Sequence, residues 1–156
     1  MDKDKITYRR YKKSDCDAVG ELHLAALQSA GVLVSRGPWD DDLNDIEGIY
    51  INNQGEFIIA ELEGVIIGMG AIRQVSEGIA EVKRMRVEPG FQGKGIGSQI
   101  LIMLEKRAKE LDYKELQLDT SSKLHRTQKF YTERGYVEFD RQTKGDHDLV
   151  FFKKRI

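Results

Sequence analysis

The sequence predicts an α/β protein in which a mixed sheet of about seven strands is flanked by about four helices. Apolar, β-branched runs joined by tight turns fill the middle of the chain, and amphipathic segments lie on either side of them. The resulting order, β-α-α-β-β-β-α-β-α-β-β, implies a sheet that is neither purely parallel nor purely antiparallel. No repeat or linker interrupts the 156 residues, so one domain, 1–156, is expected.

The first part of the chain predicts one strand and two helices. Lys5–Tyr11 has the alternation of an edge strand. Ser14 is a candidate N-cap for a helix that ends near Gly31. Asp40–Asp42 predicts the start of a second short helix, because acids are favourable at a helix N-terminus.

The next segments predict an antiparallel meander and then alternating helices and strands. Glu63-Gly64 and Ser76-Glu77-Gly78 are turn signals between apolar runs. Gly95–Leu111 predicts a helix that buries leucines and exposes Glu105 and its charged neighbours. The other predicted elements are strands Glu56–Leu62, Val65–Val75, Ile79–Glu88, Leu116–Thr120, Tyr136–Asp140 and Leu149–Lys153 and a helix His125–Arg134.

Composition excludes several classes of function. The formal net charge is −1, which gives no field that favours nucleic acid or an anionic membrane. The single cysteine, Cys16, cannot form an internal disulfide, and the Cys and His spacing indicates no metal site. No apolar run is long enough to span a membrane, and the N-terminus lacks the apolar region of a secretory signal. A cytoplasmic protein without metal, nucleic-acid partner or membrane partner is expected.

A glycine-rich segment, Gln92-Gly93-Lys94-Gly95-Ile96-Gly97, lies between a predicted strand and a predicted helix. Backbone N–H groups at such a junction bind anions, and glycines let a phosphate approach the main chain. The residue after Gly95 is Ile96, so the lysine of a Walker loop is missing. The dinucleotide pattern also fails, because it requires glycine or alanine at Ser98 and a preceding parallel βαβ unit.

Two motifs resemble the GNAT family of N-acetyltransferases. Val87, Pro89, Gln92, Gly95 and Gly97 are similar to the family's acyl-CoA signature. The run from Phe130 to Tyr136 is similar to its second signature, Phe-Tyr-x-x-x-Gly-aromatic. The resemblance extends over most of the chain, and the order and spacing of the two motifs make it specific.

This resemblance implies a GNAT acyl-CoA N-acyltransferase fold with acetyl-CoA as cosubstrate. The strand Ile79–Glu88 would carry a bulge that separates it from Leu116–Thr120, so that pantetheine adds to the opened edge. Main-chain groups of Met85, Arg86 and Val87 would contact the cofactor there. The residues expected around the pyrophosphate are Gln92, Gly93, Lys94, Gly95, Ile96, Gly97 and Ser98.

The resemblance also indicates two catalytic residues. Glu81 is the candidate general base, since an amine with a pKa near 10.4 must lose a proton before it attacks. Glu81 alternatively forms ion pairs on a strand face with Lys83 or Arg73. Tyr131 is the candidate acid, or a hydrogen-bond donor to the departing thiolate, and its alternative is aromatic packing.

The acceptor is the least determined feature. The region Ala30–Asn53 is expected to set specificity, with Trp39 as a pocket wall and Asp40–Asp42 either attracting a cationic amine or capping a helix. The expected activity is acetylation of a primary amine of a small molecule by direct attack in a ternary complex. Acetylation of protein lysines or N-termini, and non-catalytic acyl-CoA sensing, remain alternatives, and a homodimer is possible through the terminal strands.

Overall fold

The computed structural model describes residues 3–31 and 38–156, which form a seven-stranded mixed sheet with helices on both faces. The strands are β1 (Ile6–Arg10), β2 (Glu56–Leu62), β3 (Val65–Ser76), β4 (Ile79–Val87), β5 (Glu115–Ser121), β6 (Val137–Lys144) and β7 (His147–Arg155). Their order in the sheet is β1-β2-β3-β4-β5-β7-β6. Strands β4 and β5 are parallel, and the other neighbours are antiparallel. The predicted mixed sheet of seven strands is confirmed.

Three α-helices and two short helical segments pack on this sheet in the described part of the chain. The α-helices are α1 (Cys16–Ser29), α2 (Ile96–Glu110) and α3 (His125–Thr132). A 3₁₀ segment, Pro38–Asn44, and a π-helical turn, Glu47–Ile51, connect α1 to β2. Shorter 3₁₀ turns occur at Lys3–Lys5, Lys13–Asp15 and Pro89–Phe91.

Several predicted details are wrong. Asp15, not Ser14, occupies the N-cap position of α1, and its carboxylate binds Arg9 at 2.8 and 2.9 Å. Glu105 accepts hydrogen bonds from Tyr136 and Lys154, although its place on α2 predicted a solvated side chain. Strands β6 and β7 are longer than predicted, because their charged, exposed ends carry no apolar alternation that would mark them.

The two faces of the sheet have separate cores. Helix α2 buries a stripe against one face, where it packs on β2, β3 and β4, and the same core continues to β5, β7 and Tyr131 of α3. The buried residues of α2 are Ile96, Ile100, Leu101, Leu104 and Ala108. Helix α1 and the segment 38–51 cover β2 and β3 on the opposite face. On that second face, the side chains of β5 and β7 remain accessible to solvent, and we call this surface the open face.

A β-bulge interrupts β4 where the open face begins. Met69 of β3 pairs with Arg86, and Ala71 pairs with Lys83, so that two residues of β4 stand opposite Gly70. Arg84 has a φ of 58°, in the left-handed region that side chains rarely adopt. A β-carbon at Gly70 would lie 2.4 Å from the Met85 sulfur, so glycine is needed for this close approach.

Strands β4 and β5 separate just before this bulge. Their parallel pairing in the structure covers Ile79, Ala80 and Glu81, opposite 115–117. Beyond Glu81 the register between the two strands ends, although β5 continues to Ser121. The predicted bulge and the predicted opening between β4 and β5 are thus both present.

Candidate functional site

A glycine loop, Gln92–Ser98, connects the 3₁₀ turn after β4 to the first turn of α2. Gly93 and Gly95 have φ values of 77° and 86°, so both need the left-handed conformation that glycine tolerates. A β-carbon built on either residue would meet nothing within 4 Å. The space above the loop is therefore open, and the N-terminal N–H groups of α2 lie at its edge. This arrangement suits a phosphate-bearing ligand.

The remaining side chains of the glycine loop have different surroundings. Ile96 is only 2% exposed and belongs to the core, so it can offer a ligand only its backbone. A β-carbon at Gly97 would lie 3.5 Å from the Phe130 ring, which places this glycine against α3. The Ser98 hydroxyl accepts a hydrogen bond from Arg134 Nε at 3.2 Å, a contact that ties the loop to the end of α3.

The exposed edge of β4 is directed toward the opening. Glu88 donates its N–H to the Ile67 carbonyl of β3 at 2.8 Å. Because backbone groups alternate along a strand, those of Val87 and Met85 are directed to the β5 side and those of Arg86 to β3. Of the three residues predicted to offer backbone groups, Met85 and Val87 therefore have the orientation that this role requires.

Two side chains already donate to carbonyls on that edge. Gln92 Nε2 donates to the Val87 carbonyl at 3.1 Å, and Arg86 Nη1 donates to the Met85 carbonyl at 2.8 Å. Gln92 and Lys94 are exposed residues of the glycine loop itself.

Glu81 lies on the open face at the last paired position of β4 and β5. Its Oε1 is 3.2 Å from Arg73 Nη2 and 3.7 Å from Lys83 Nζ, and its side chain is 21% exposed. These are the ion pairs of the alternative interpretation of this residue. The carboxylate stays partly exposed in these pairs, so they are compatible with proton transfer as well.

Asp119 of β5 is a neighbouring carboxylate that the sequence did not single out. It follows Gln117, the β5 partner of Glu81, by two residues and therefore shares the same face of the sheet. Its carboxylate is exposed, yet partial desolvation and the negative charge of Glu81 raise the pKa of Asp119. A carboxylate with a raised pKa is a stronger base than an ordinary aspartate, which makes Asp119 a second candidate base.

Tyr131 of α3 is 6% exposed and packs against the rings of Phe130 and Tyr136. In the described residues its hydroxyl has no hydrogen-bond partner, whereas the hydroxyls of Tyr50 and Tyr113 each have one. Burial raises the pKa of Tyr131, and the positive charge of Arg86 opposes that rise only in part. The phenol is therefore neutral at physiological pH and can donate a hydrogen bond.

A buried charged cluster lies behind the bulge. Arg84 donates from Nε to Asp42 at 2.9 Å, from Nη2 to the other Asp42 oxygen, and from Nη1 to Asp40 at 3.0 Å. Tyr50 also donates to Asp42. Burial alone would raise the pKa of Asp42, but the hydrogen bonds from Arg84 and Tyr50 hold it below its usual value. We use the name charged cluster for Asp40, Asp42, Tyr50, Arg84 and His23.

These contacts correct the expectation for Asp40–Asp42. Asp40 and Asp42 are 1% and 8% exposed and form ion pairs with Arg84, so they are buried partners of that cation and not an exposed acidic surface for a substrate amine. They lie in the 3₁₀ segment Pro38–Asn44, where the sequence predicted a short helix. Asp41 is exposed. The side chain of Trp39, which is the predicted pocket wall, and residues 32–37 lie outside the described residues. Ser122 begins the turn after β5, and its N–H donates to the Asp148 carbonyl at 2.9 Å.

His23 joins α1 to the charged cluster and to Arg86. Its Nε2 lies 2.9 Å from Asp40 Oδ1, and its Nδ1 lies 3.3 Å from Arg86 Nε. Arginine Nε can only donate, so Nδ1 accepts and Nε2 carries the proton that is donated to Asp40. Burial, with help from Arg86, lowers the pKa of His23 to about 4. The imidazole is therefore neutral and fully enclosed.

Sequence reasoning missed His23, Arg84 and the side-chain role of Arg86. The available signal was the run Lys83-Arg84-Met85-Arg86, which places three cations in a strand whose other residues, apart from Glu81, are apolar. Two of those cations face the interior, and a buried charge requires a partner. The partners come from distant segments, so the sequence could not name them.

The described residues contain no group of three metal-ligating side chains. No helix in that part of the chain is long and apolar enough to cross a bilayer.

Several known proteins are similar to this chain in sequence or in structure. An uncharacterised N-acetyltransferase, YjgM of Escherichia coli, is 23% identical over 137 residues, which are 85% of this chain and 82% of that protein. A GNAT-family acetyltransferase of Staphylococcus aureus has a TM-score of 0.88 and 24% identity, covering 96% of this chain and 98% of its own. The PaiA N-acetyltransferase of Thermoplasma acidophilum, solved in complex with coenzyme A, has a TM-score of 0.81 and 20% identity, covering 97% and 99%.

The model of the Acetyltransferase (GNAT) family matches residues 21–136, a segment that contains the bulge, the glycine loop and Tyr131. That segment is more than half of the chain, so this protein belongs to the GNAT acetyltransferase family.

Proposed function

We propose that this protein transfers an acetyl group from acetyl-CoA to a primary amine of a small molecule, within a single domain of residues 1–156. The observation that carries the proposal is the opening between β4 and β5, with the glycine loop at one side and Tyr131 near Arg86. Family membership supports acetyl transfer, and the small-molecule acceptor is our proposal.

The residues of the site fit the parts of acetyl-CoA, which supplies an activated acyl group. The open space over Gly93 and Gly95, beside the N–H groups of α2, suits the pyrophosphate. The edge of β4 at Met85 and Val87, which β5 does not pair with, suits the amide groups of the pantetheine arm, which would add to it as a strand does. Lys94 provides a positive charge at the rim of the loop.

Deprotonation of the acceptor is assigned to the carboxylates of the open face. An amine with a pKa near 10.4 is disfavoured as a neutral nucleophile at pH 7 by about 4–5 kcal/mol. We propose that Glu81 accepts the proton, directly or through water, and that Asp119 shares or relays it. The raised pKa of Asp119 supports this role.

Tyr131 is assigned to the departing thiolate. Because burial raises its pKa, full proton donation to a thiolate is unfavourable, and donation of a hydrogen bond is the more effective role. The amine attacks directly while both substrates are bound, so proximity supplies much of the rate enhancement. No described feature suggests an acyl-enzyme, since Cys16 lies on α1 with its sulfur near the Leu43 carbonyl.

The experiment that tests this function is a measurement of CoA release with amino acids, polyamines, aminoglycosides and peptides as acceptors. Turnover with small amines supports the proposal, and turnover restricted to peptides assigns protein acetylation instead. Tight binding of acetyl-CoA without CoA release for any acceptor would make the protein an acyl-CoA sensor.

A cytoplasmic homodimer is also proposed. Strand β6 is an edge strand with Val137 and Phe139 exposed by 65% and 41%, and edges of this kind pair readily with another strand. Light scattering at micromolar concentration gives the mass directly, and a monomer would contradict the proposed assembly.

A further inference from the structure

Two arginines on β4 are close in sequence but differ in how their charge is neutralised. The side chains of Arg84 and Arg86 lie on the same face of the sheet, where Arg84 contacts Asp42 of the segment 38–51 and Arg86 contacts His23 of α1. Arg84 is enclosed by the carboxylates of Asp40 and Asp42, which form ion pairs with it. Its charge is fully compensated inside the protein.

Arg86 has no such compensation among the described residues. Its Nε binds the neutral ring of His23 at 3.3 Å, and its Nη1 binds the Met85 carbonyl at 2.8 Å. None of its ion-pairing atoms is within salt-bridge distance of a described carboxylate. Burial and the neighbouring Arg84 lower the pKa of Arg86 to about 10, which is the expected response of a cation that lacks an anion.

The surroundings of Arg86 hold the guanidinium in place without neutralising it. His23 cannot rotate freely, because its Nε2 is bound to Asp40, which is itself bound to Arg84. His23 is also neutral, so it contributes orientation and no charge. A half-buried arginine that is fixed by neutral acceptors is prepared for an anion from outside the chain.

The position of Arg86 indicates which anion this is. Its Nη1 donates to the Met85 carbonyl, which lies on the edge of β4 that opens toward β5, so the guanidinium lies at the opening proposed for the reacting thioester. The Tyr131 phenol is a neighbouring group, since its charge and that of Arg86 affect each other's pKa. The phosphates of the donor are already assigned to the glycine loop, on the far side of Val87 along the chain. The remaining partner that enters this place is the acceptor.

We propose that Arg86 binds a carboxylate of the acceptor, so that the substrate is an amine that also carries a carboxylate separated from it by few bonds, as in an amino acid. This inference rests on the proposed acetyl transfer. Arg86 is thus a specificity-determining residue, and His23 is a positioning residue that acts through it.

The test compares free α-amino acids with the matching α-amino acid amides, which keep the amine and lose the negative charge. For the wild-type protein we expect kcat/KM to be higher for at least one acid than for its amide, by about 100-fold. Arg86→Gln should lower kcat/KM for that acid by about 100-fold and change that for the amide by less than about threefold. Arg86→Lys keeps the charge and should retain part of the preference, and Lys106→Gln, which removes an exposed cation of α2, is the matched control.

Binding provides a second measurement that does not depend on turnover. The CoA-saturated protein is titrated calorimetrically with N-acetyl amino acids and with their methyl esters. Binding of the acids that is lost in Arg86→Gln supports the inference, provided that circular dichroism and CoA affinity show an intact variant. If Arg86→Gln is unfolded, the Arg86→Lys comparison decides.

Four results would overturn the inference. Equal losses for acids and amides would assign Arg86 to the donor thioester, and unchanged kinetics would assign it to structure alone. Acetylation of amines that lack a carboxylate, with no preference for amino acids, would contradict the carboxylate subsite and leave the proposed acetyl transfer intact. Absence of CoA release for every acceptor, with no binding of N-acetyl amino acids, would remove both.

Discussion

The glycine loop and the charged cluster flank the same strand, but the first is formed by backbone groups and the second by side chains. The glycine loop is seven consecutive residues, and its properties come from backbone N–H groups, positive φ angles and missing side chains. The charged cluster consists of five side chains from α1, the segment 38–51 and β4. One region presents the main chain to a ligand, and the other fixes side chains behind a bulge.

This difference implies that the glycine loop recognises a chemical group common to many ligands, whereas the charged cluster is specific to this protein. A backbone cradle recognises a group that every donor of one type shares, such as a pyrophosphate. Side chains that are held in place recognise particular charges and shapes. The four changes below test whether the two regions respond as differently as their construction implies.

Removal of Arg84 is expected to have the largest effect. Arg84→Ala leaves Asp40 and Asp42 buried without their cation, and this should lower the free energy of unfolding by about 3–5 kcal/mol in urea titrations. Arg84→Gly should be about 1 kcal/mol more stable than Arg84→Ala, since glycine relieves the left-handed backbone strain. Lys5→Ala, which breaks the exposed Lys5–Glu63 pair, should cost no more than about 0.5 kcal/mol. A similarly small loss for Arg84→Ala would show that the charged cluster is dispensable.

Acidification should weaken the same region through His23. Its pKa is about 4 in the folded protein and 6.5 when unfolded. Between these values the unfolded chain binds a proton that the folded chain does not, so stability is full above pH 6.5 and falls as the pH is lowered toward 4. The loss at pH 4.5 relative to pH 7 is about 2–3 kcal/mol from this residue. His23→Gln should lose less stability between pH 7 and pH 4.5 than the wild type does. Urea titrations at each pH measure the free energy of unfolding, and an equal pH dependence in the two proteins would contradict the role of His23.

Loss of the Tyr131 hydroxyl should affect turnover more than binding. Tyr131→Phe keeps the ring packing and removes the donor, so kcat should fall by about tenfold to 100-fold while acetyl-CoA affinity changes by less than about twofold. Steady-state kinetics and calorimetry measure the two quantities. Tyr113→Phe, which removes a hydroxyl bound to the Gln54 carbonyl, is the control. Equal turnover in Tyr131→Phe and the wild type would reassign this tyrosine to packing.

A side chain in the glycine loop should have a smaller effect, confined to the donor. Gly95→Val strains a residue with φ of 86° and fills the open space above the loop, so acetyl-CoA affinity should fall about tenfold or more. Gly64→Val carries a similar strain at φ of 82° in the β2–β3 turn, with equally open surroundings. Calorimetry should show normal affinity for Gly64→Val. Matching losses in the two variants would mean that strain, not ligand approach, explains the change.

The same contrast explains how much the sequence could predict. The glycine loop, the opening of the sheet and Tyr131 were predictable, because each is marked by contiguous residues or by resemblance to a motif of fixed spacing. The charged cluster was not, since Asp40 and Asp42 are separated from Arg84 by 44 and 42 residues and follow no period. Their acids at the start of a predicted helix had a simpler local explanation, which the structure replaces.

Strand pairing shows a related limit. Strand β6 carries charged residues at half of its positions and is exposed throughout, so its full length depends on hydrogen bonding to β7 and leaves little trace in hydrophobicity. Asp119 was equally hidden, because its importance comes from facing Glu81 across two parallel strands. Proximity across a sheet is a property of topology, and one sequence does not contain it.

The short pairing of β4 with β5 also makes this the weakest junction between neighbouring strands of the sheet. Only three residues of each strand are in register between the two halves of the sheet, so elsewhere α2 and α3 must hold the halves together. A pantetheine arm in the opening would then hydrogen-bond to the strand edges and link the two halves of the sheet. Amide hydrogen exchange should therefore slow in β4 and β5 when acetyl-CoA is added, and the melting temperature should rise with its concentration. In such a protein the substrate completes the sheet that binds it.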